Sequence, residues 1–395
     1  MEREAVAKLH RLIFCEDDQF YHDFTHSPEV CLGTVTSGGT VANLTGLWVA
    51  RNKALGPRPG FAGVEEAGLH RALRHYQLDD AVIIGSQLMH YSFKKAADTL
   101  GVGTSGLLTI PYRDDYRVRV DLMEERILEC QRNNTAVLAL VGVAGATETG
   151  SVDDLEAIAT LARKYNIHFH VDAAWGGPLV FSRRYRDLLR GISLADSVTI
   201  DGHKQLYTPM GCGVILFRDP AAPQSIKKTS NYIIRNDSLD AGKFSVEGSR
   251  PANAIYLHAS LSVLGAEGFE ALIDRNCAMA RAFAAKLAAE HPDFEIVAEP
   301  TSNILLYRWI PKEYQARWKA GSLTPEENEA INARNQTLQA KICREGESFV
   351  SRTSIFSTTY DTVITVLRVV IANPNTHQEH LDFALSEQRK LIETM

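Results

Sequence analysis

Two short β-branched runs constrain this chain more than anything else in it. Ile167-His-Phe-His-Val171 ends in Asp172, and Ser197-Val-Thr-Ile200 leads into Asp201-Gly-His-Lys204. Both read as strands from their residue types. Each delivers a reactive side chain at its C-terminal end, the edge where open α/β sheets hold their ligands. Further runs at 81–85, 107–110, 136–141 and 213–217 alternate with helical stretches, which predicts an α/β fold with a mostly parallel sheet between layers of helices. From about Ala254 a long helical pattern passes through Leu261, Leu264 and Phe269, and strands at 303–308 and 362–371 then mix with a helix over 326–344. The boundary is expected near residue 255, giving a large domain over 1–255 and a smaller α+β domain over 256–395.

The pairing of Asp172 with Lys204 points to one kind of chemistry. A lysine amine condenses with an aldehyde, and a carboxylate facing a heteroaromatic nitrogen keeps that nitrogen protonated. The ring then accepts the electron pair released at a substrate α-carbon, which is the work of pyridoxal 5'-phosphate. Ala174, two residues past Asp172, lies on the same side of an extended chain and is small enough to leave room for a flat ring. Thr36-Ser-Gly-Gly-Thr-Val-Ala-Asn-Leu-Thr-Gly46 offers a place for the phosphate. Its two glycines allow close backbone approach, and the helical pattern behind them turns its first amides toward an anion. The same turn also serves as a bare helix cap with no ligand.

Composition sets bounds around this reading. With 42 basic and 48 acidic residues the formal charge is −6, and no basic run appears, so neither nucleic acid nor an anionic membrane surface is indicated as a partner. The first ten residues are charged and helical in pattern, and no apolar stretch is long enough to span a bilayer. The six cysteines lie apart, without a Cys-x-x-Cys pair or a Cys/His cluster, so neither a metal site nor a disulfide framework is expected. These features predict a cytoplasmic enzyme.

Taken with Glu247-Gly-Ser-Arg-Pro-Ala-Asn253, the Lys204 segment Asp201-Gly-His-Lys-Gln-Leu-Tyr-Thr-Pro-Met-Gly-Cys-Gly213 resembles the group II pyridoxal-phosphate-dependent amino-acid decarboxylases. The resemblance runs from about Glu2 to the C-terminus. It is strongest to the bacterial aspartate 1-decarboxylase branch, with glutamate decarboxylases next. It implies fold type I, with a mostly parallel seven-stranded sheet flanked by helices and a smaller α+β C-terminal domain. It further implies that Gly39, Thr40 and His203 hold the cofactor phosphate, that His90 stacks on the ring face opposite Ala174, and that Thr147 lies near the ring oxygen. Asp201 stands where many relatives carry Ser or Asn. A carboxylate beside a dianion is unfavourable unless it turns away or accepts backbone donors, so Asp201 is left out of the phosphate set.

The resemblance also implies a homodimer with shared active sites. Ser249 and Arg250 fall in a loop that reaches the neighbouring subunit's phosphate in relatives, and Tyr232 matches a tyrosine of a mobile loop that protonates the α-carbon. The long polar segment 221–248 suits such a lid. The branch implies L-aspartate as substrate, with glutamate or cysteine sulfinate as alternatives. Relatives usually carry an N-terminal segment ahead of the point where this chain begins, which leaves open a cofactor-binding protein of little activity. An aminotransferase would use the same Lys and Asp with a carboxylate-binding arginine, for which Arg352 and Arg368 are the candidates.

Overall fold

The computed structural model describes residues 1–395, and the chain divides into two compact units. The first contains residues 1–112, 117–147 and 152–270, and the second residues 113–116, 148–151 and 271–395. Residue 255 falls in the first turn of the helix Asn253–Glu290, which is interrupted at Gly265, where φ is 61° and ψ is −175°. The last segment of the first unit ends at Glu270, beyond that break.

Seven strands form the sheet of the first unit: β1 Gly33–Thr36, β2 Asp80–Ser86, β3 Leu107–Ile110, β4 Thr135–Val143, β5 His168–Asp172, β6 Ser197–Asp201 and β7 Gly213–Phe217. Their order is β1-β7-β6-β5-β4-β2-β3. The five strands from β3 to β6 are parallel to their neighbours, while β7 runs antiparallel to both β6 and β1. This is the mostly parallel seven-stranded sheet that the resemblance implies. The four-residue β1 was too short to stand out by periodicity.

Central strands β5, β6 and β7 are buried along their whole length. One cover is the helix Gly39–Ala54, whose Leu47 and Ala50 share a core with Ile83, Phe93, Ala139 and Val141. Its Ala42 and Val49 pack with Ile215 and Phe217 of β7. Each Leu, Ile or Phe taken fully out of water contributes about 1.5–3 kcal/mol. The helix ends one residue before Gly56-Pro57, where proline restricts its predecessor and lacks an N–H to continue the ladder. Packing on both sides therefore fixes where this helix begins and ends relative to the sheet.

The second unit has its own four-stranded antiparallel sheet: β8 Phe294–Ala298, β9 Ile304–Trp309, β10 Ser351–Ser357 and β11 Thr362–Val370, in the order β10-β11-β9-β8. Phe283, Phe294, Leu305, Tyr307, Leu338 and Leu367 belong to its core. The helix Pro325–Glu345 starts with a reciprocal capping box between Thr324 and Glu327, with Pro325 at the first helical position. Arg352 is exposed on the edge strand β10. Arg368 on β11 is partly buried, and its guanidinium is lowered by that burial and raised by Glu148; burial raises the Glu148 carboxyl in turn. No helix of the chain is long and apolar enough to cross a membrane.

Candidate active site

Parallel pairing of β5 with β6 puts Asp172 in register with Thr199. The chain leaving β6 at Asp201 then turns within four residues, carrying Lys204 beside the end of β5. There a pocket of about 300 Å³ opens, within the size range of small-molecule sites. Of the residues picked out from the sequence, Gly39, Thr40, His90, Thr147, Asp172, Ala174, His203 and Lys204 all line it.

Asp172 forms part of the floor and is only 6% exposed. Its Oδ1 accepts the Ala174 backbone N–H at 3.1 Å, and its Oδ2 accepts the Asn43 side-chain amide at 3.0 Å. Both donors are neutral, so the carboxylate is held in place while its charge stays uncompensated. A protonated ring nitrogen would supply the missing countercharge. The Lys204 ammonium instead pairs with Asp201 Oδ2 at 3.0 Å. Asp201 has not turned away from the pocket, and its Oδ1 is buried without a hydrogen-bond partner.

The helix Gly39–Ala54 begins at the pocket wall, with Gly38 as its cap at φ 148°. That conformation is rare for an L side chain. A Cβ on Gly39 would sit 2.9 Å from Asp201 Oδ2, and one on Gly213 would sit 2.4 Å from the Gly38 carbonyl carbon. The turn is therefore sterically reserved for bare backbone, and its free amides suit a phosphate. His203 faces the same region: its Nδ1 donates to the Cys212 carbonyl at 2.8 Å, and its Nε2 lies 3.7 Å from Asp201. His90 is pushed below the ordinary imidazole range, mainly by burial, so the ring is a neutral cover rather than a cation. Its Nδ1 accepts the Ser92 N–H at 3.3 Å. An amine, a held carboxylate and a helix N-terminus that begins on two glycines fit the aldehyde, ring nitrogen and phosphate of pyridoxal phosphate.

Tyr232 and Ser249 are not among the residues lining this pocket. They line a separate hollow of about 450 Å³ with Glu2, Thr36 and Arg250, and the Tyr232 side chain is 84% exposed. Arg250 is committed to its own chain, donating to Glu2, to Thr34 and to the Val35 carbonyl. The loop is anchored locally. The Lys243 ammonium, 1% exposed, donates to the carbonyls of Asn236 at 2.9 Å and Ser238 at 2.6 Å, and Arg3 donates to that of Leu239 at 2.8 Å.

Asn43 was not singled out from the sequence, although a signal was there. It lies one helical turn past Gly39, so it shares the face that begins at the pocket. A polar residue on the inner face of a helix covering a sheet needs a partner, and Asp172 is that partner.

A family model described as the pyridoxal-dependent decarboxylase conserved domain matches residues 1–310. The chain belongs to the pyridoxal-dependent decarboxylase family. Its cofactor is therefore pyridoxal 5'-phosphate and its reaction class is that of a carboxy-lyase. Among curated proteins, an aspartate 1-decarboxylase of Aliivibrio fischeri is 43% identical over 397 residues, covering 99% of this chain and 72% of the relative. An L-2,4-diaminobutyrate decarboxylase of Acinetobacter baumannii is 28% identical over 346 residues, covering 85% of this chain and 65% of the relative. Among solved structures, mouse CSAD in apo form superposes with a TM-score of 0.83 at 25% identity, covering 99% of this chain and 75% of that one. The two curated relatives are named for different amino acids, so membership of this decarboxylase family leaves the substrate to be argued separately.

Proposed function

We propose that this decarboxylase removes the α-carboxylate of L-aspartate, giving β-alanine and carbon dioxide. The single observation that carries the reaction is the gathering of Lys204, Asp172 and the Gly38–Gly39 helix start around one pocket. The 43% identity to an aspartate 1-decarboxylase supports the substrate. Bound pyridoxal phosphate supplies an aldehyde for the substrate amine and a conjugated ring that takes up the electron pair of the broken carbon–carboxylate bond.

The chain's own residues do the rest. Lys204 would hold the cofactor through its side-chain amine and give it up to the amine of the substrate. Asp172 keeps a proton on the ring nitrogen. The amides of Gly39 and Thr40, with His203, hold the phosphate. Neutral His90 would cover the cofactor ring and exclude water, Ala174 would leave room for it, and Thr147 would help hold it. Tyr232, or else Lys204, would supply the proton that replaces the departing carboxylate at the α-carbon.

The functional unit we propose is a homodimer in which Tyr232 and Ser249 serve the partner's pocket. Their absence from the pocket lining of their own chain supports this, as do exposed apolar side chains in the same unit, including Met210, Ile233, Tyr256 and Val263. Cys15, Cys31, Cys130, Cys212 and Cys343 are free thiols, which suits the reducing cytosol.

The reading is tested by proton NMR of the loaded enzyme with aspartate, glutamate, cysteine sulfinate and aromatic amino acids in equal amounts. β-Alanine should appear, and should be absent with Lys204→Ala. A different amine would retain the chemistry and overturn the substrate. Co-expression of Lys204→Ala with Tyr232→Phe tests the shared site. Turnover returns in the mixed dimer if Tyr232 acts across the interface, and stays lost if it acts within its own chain.

A further inference from the structure

Behind Asp172 the polar contacts continue away from the pocket. Strand β5 carries His168, His170 and Asp172 at alternate positions, so all three side chains leave the same face of the sheet. His170 Nε2 lies 3.0 Å from Asn43 Oδ1, and His170 Nδ1 lies 2.8 Å from Ser197 Oγ. Ser197 Oγ is also 2.8 Å from His168 Nε2. His170, Ser197 and Asn43 are at most 1% exposed, and His168 is 8% exposed.

Hydrogen counting fixes the direction of every bond in this chain. Both Asn43 amide hydrogens are used, one on Asp172 Oδ2 and one on Ser92 Oγ at 3.2 Å. Turning the amide over would set its carbonyl against a carboxylate. Asn43 Oδ1 must then accept, so His170 carries its proton on Nε2. Burial lowers His170 to about 3 and His168 to about 4, so each ring is neutral and has one N–H. His170 Nδ1 is therefore bare and accepts the Ser197 hydroxyl hydrogen. With that hydrogen spent, Ser197 Oγ can only accept from His168, whose proton lies on Nε2. His168 Nδ1 is left as a bare acceptor, and it has no hydrogen-bond partner in the structure. An unpaired acceptor costs less than an unpaired buried N–H, so the directed chain ends where the cost is least.

We infer that His168, Ser197, His170 and Asn43 form a one-way donor chain that terminates on Asp172 and keeps it ionised for the cofactor's ring nitrogen. These four are positioning residues, acting through Asp172 and touching neither substrate nor cofactor. Each link can run in one sense only, so the Asn43 amide is locked with its donor side toward the carboxylate. Without the lock the amide is free to turn, and the carboxylate loses a fixed donor that favours its charged form. The inference rests on the pyridoxal phosphate reading of the pocket, but its first test needs no cofactor.

Nitrogen-15 NMR of the histidines in the cofactor-free protein should show His168 and His170 both neutral and both protonated on Nε2 at pH 7. His170 protonated on Nδ1, or cationic, would overturn the chain. The second test loads ring-nitrogen-labelled pyridoxal phosphate into Ser197→Ala and Ser197→Thr. The ring nitrogen should be protonated in the wild type and in the Thr variant, which keeps the hydroxyl. It should lose protonation in the Ala variant, with kcat falling by roughly tenfold, the cost of about one charge-assisted hydrogen bond. A fully protonated ring nitrogen in a folded Ser197→Ala overturns the proposal. Failure of the wild type to take up pyridoxal phosphate would overturn the reading beneath it, and the cofactor-free tautomers tell the two failures apart.

Discussion

Beneath Asp172 four side chains pass hydrogen bonds from one to the next almost wholly out of water, whereas Tyr232 stands 84% exposed on a loop whose anchors grip backbone carbonyls. The first region is finished within a single chain. The second presents Tyr232, the proposed proton donor, outward and leaves its own pocket without it. Holding a cofactor demands fixed dipoles, which a sheet interior supplies at no reorganisation cost. Delivering a proton after substrate has entered demands a group that can approach and leave, which a loop supplies.

The sharpest break on the pocket side is Lys204→Ala, which should abolish carbon dioxide release while the fold, followed by circular dichroism, stays unchanged. On the loop side Tyr232→Phe should lower kcat by about 10²–10⁴-fold and leave pyridoxal phosphate affinity as it was, measured by cofactor absorbance titration. Equal losses of kcat and cofactor affinity would erase the distinction between the two regions.

Acid should act through the interior. His10 is lowered to about 4 and His170 to about 3, in both cases chiefly by burial, so the folded protein keeps them neutral where the unfolded chain would protonate them. Their contribution is complete above about pH 6.5 and is lost as pH falls toward those values, by about 1.4 kcal/mol per pH unit for each at most. Urea unfolding of the cofactor-free protein between pH 7.5 and 5 should show this decline, and a flat profile would contradict the neutral floor.

Lys243→Met sharpens the loop side. Its buried ammonium makes two charge-assisted bonds, each about 1.5–3 kcal/mol of local anchoring. Limited proteolysis within 227–248 should accelerate while cofactor affinity holds. The smallest effect is expected from Asp201→Asn. Removing a negative charge from the pocket should tighten pyridoxal phosphate binding by roughly three- to tenfold, measured at fixed ionic strength.

Much of the site was legible because its chemistry is carried by residue types that few other roles require together. Strand patterns placed Asp172 and Lys204 at neighbouring strand ends, and β5 and β6 are indeed adjacent and parallel. The Ser37-Gly-Gly-Thr40 turn could be read as a phosphate site or a bare cap, and in the structure it lines the Lys204 pocket. In the second unit, the interior strands β9 and β11 were readable as apolar runs. The half-buried β8 and the edge strand β10 were not: β8 loses its apolar–polar alternation after Ile296, and β10 alternates in burial but is apolar only at Ile355 and Phe356.

By itself the sequence determined the fold class, the cofactor and the central Lys–Asp pair, because strand periodicity and reactive residue types are local properties. Only the tertiary structure decided that Asn43 would meet Asp172 across 129 positions, that Ser197 would bridge two histidines, that Asp201 would remain in the pocket against Lys204, and that Tyr232 would lie outside it. Those facts depend on which strands become neighbours and on where each buried donor finds an acceptor. That choice is settled by the packing of the whole chain, and no short window of residues contains it.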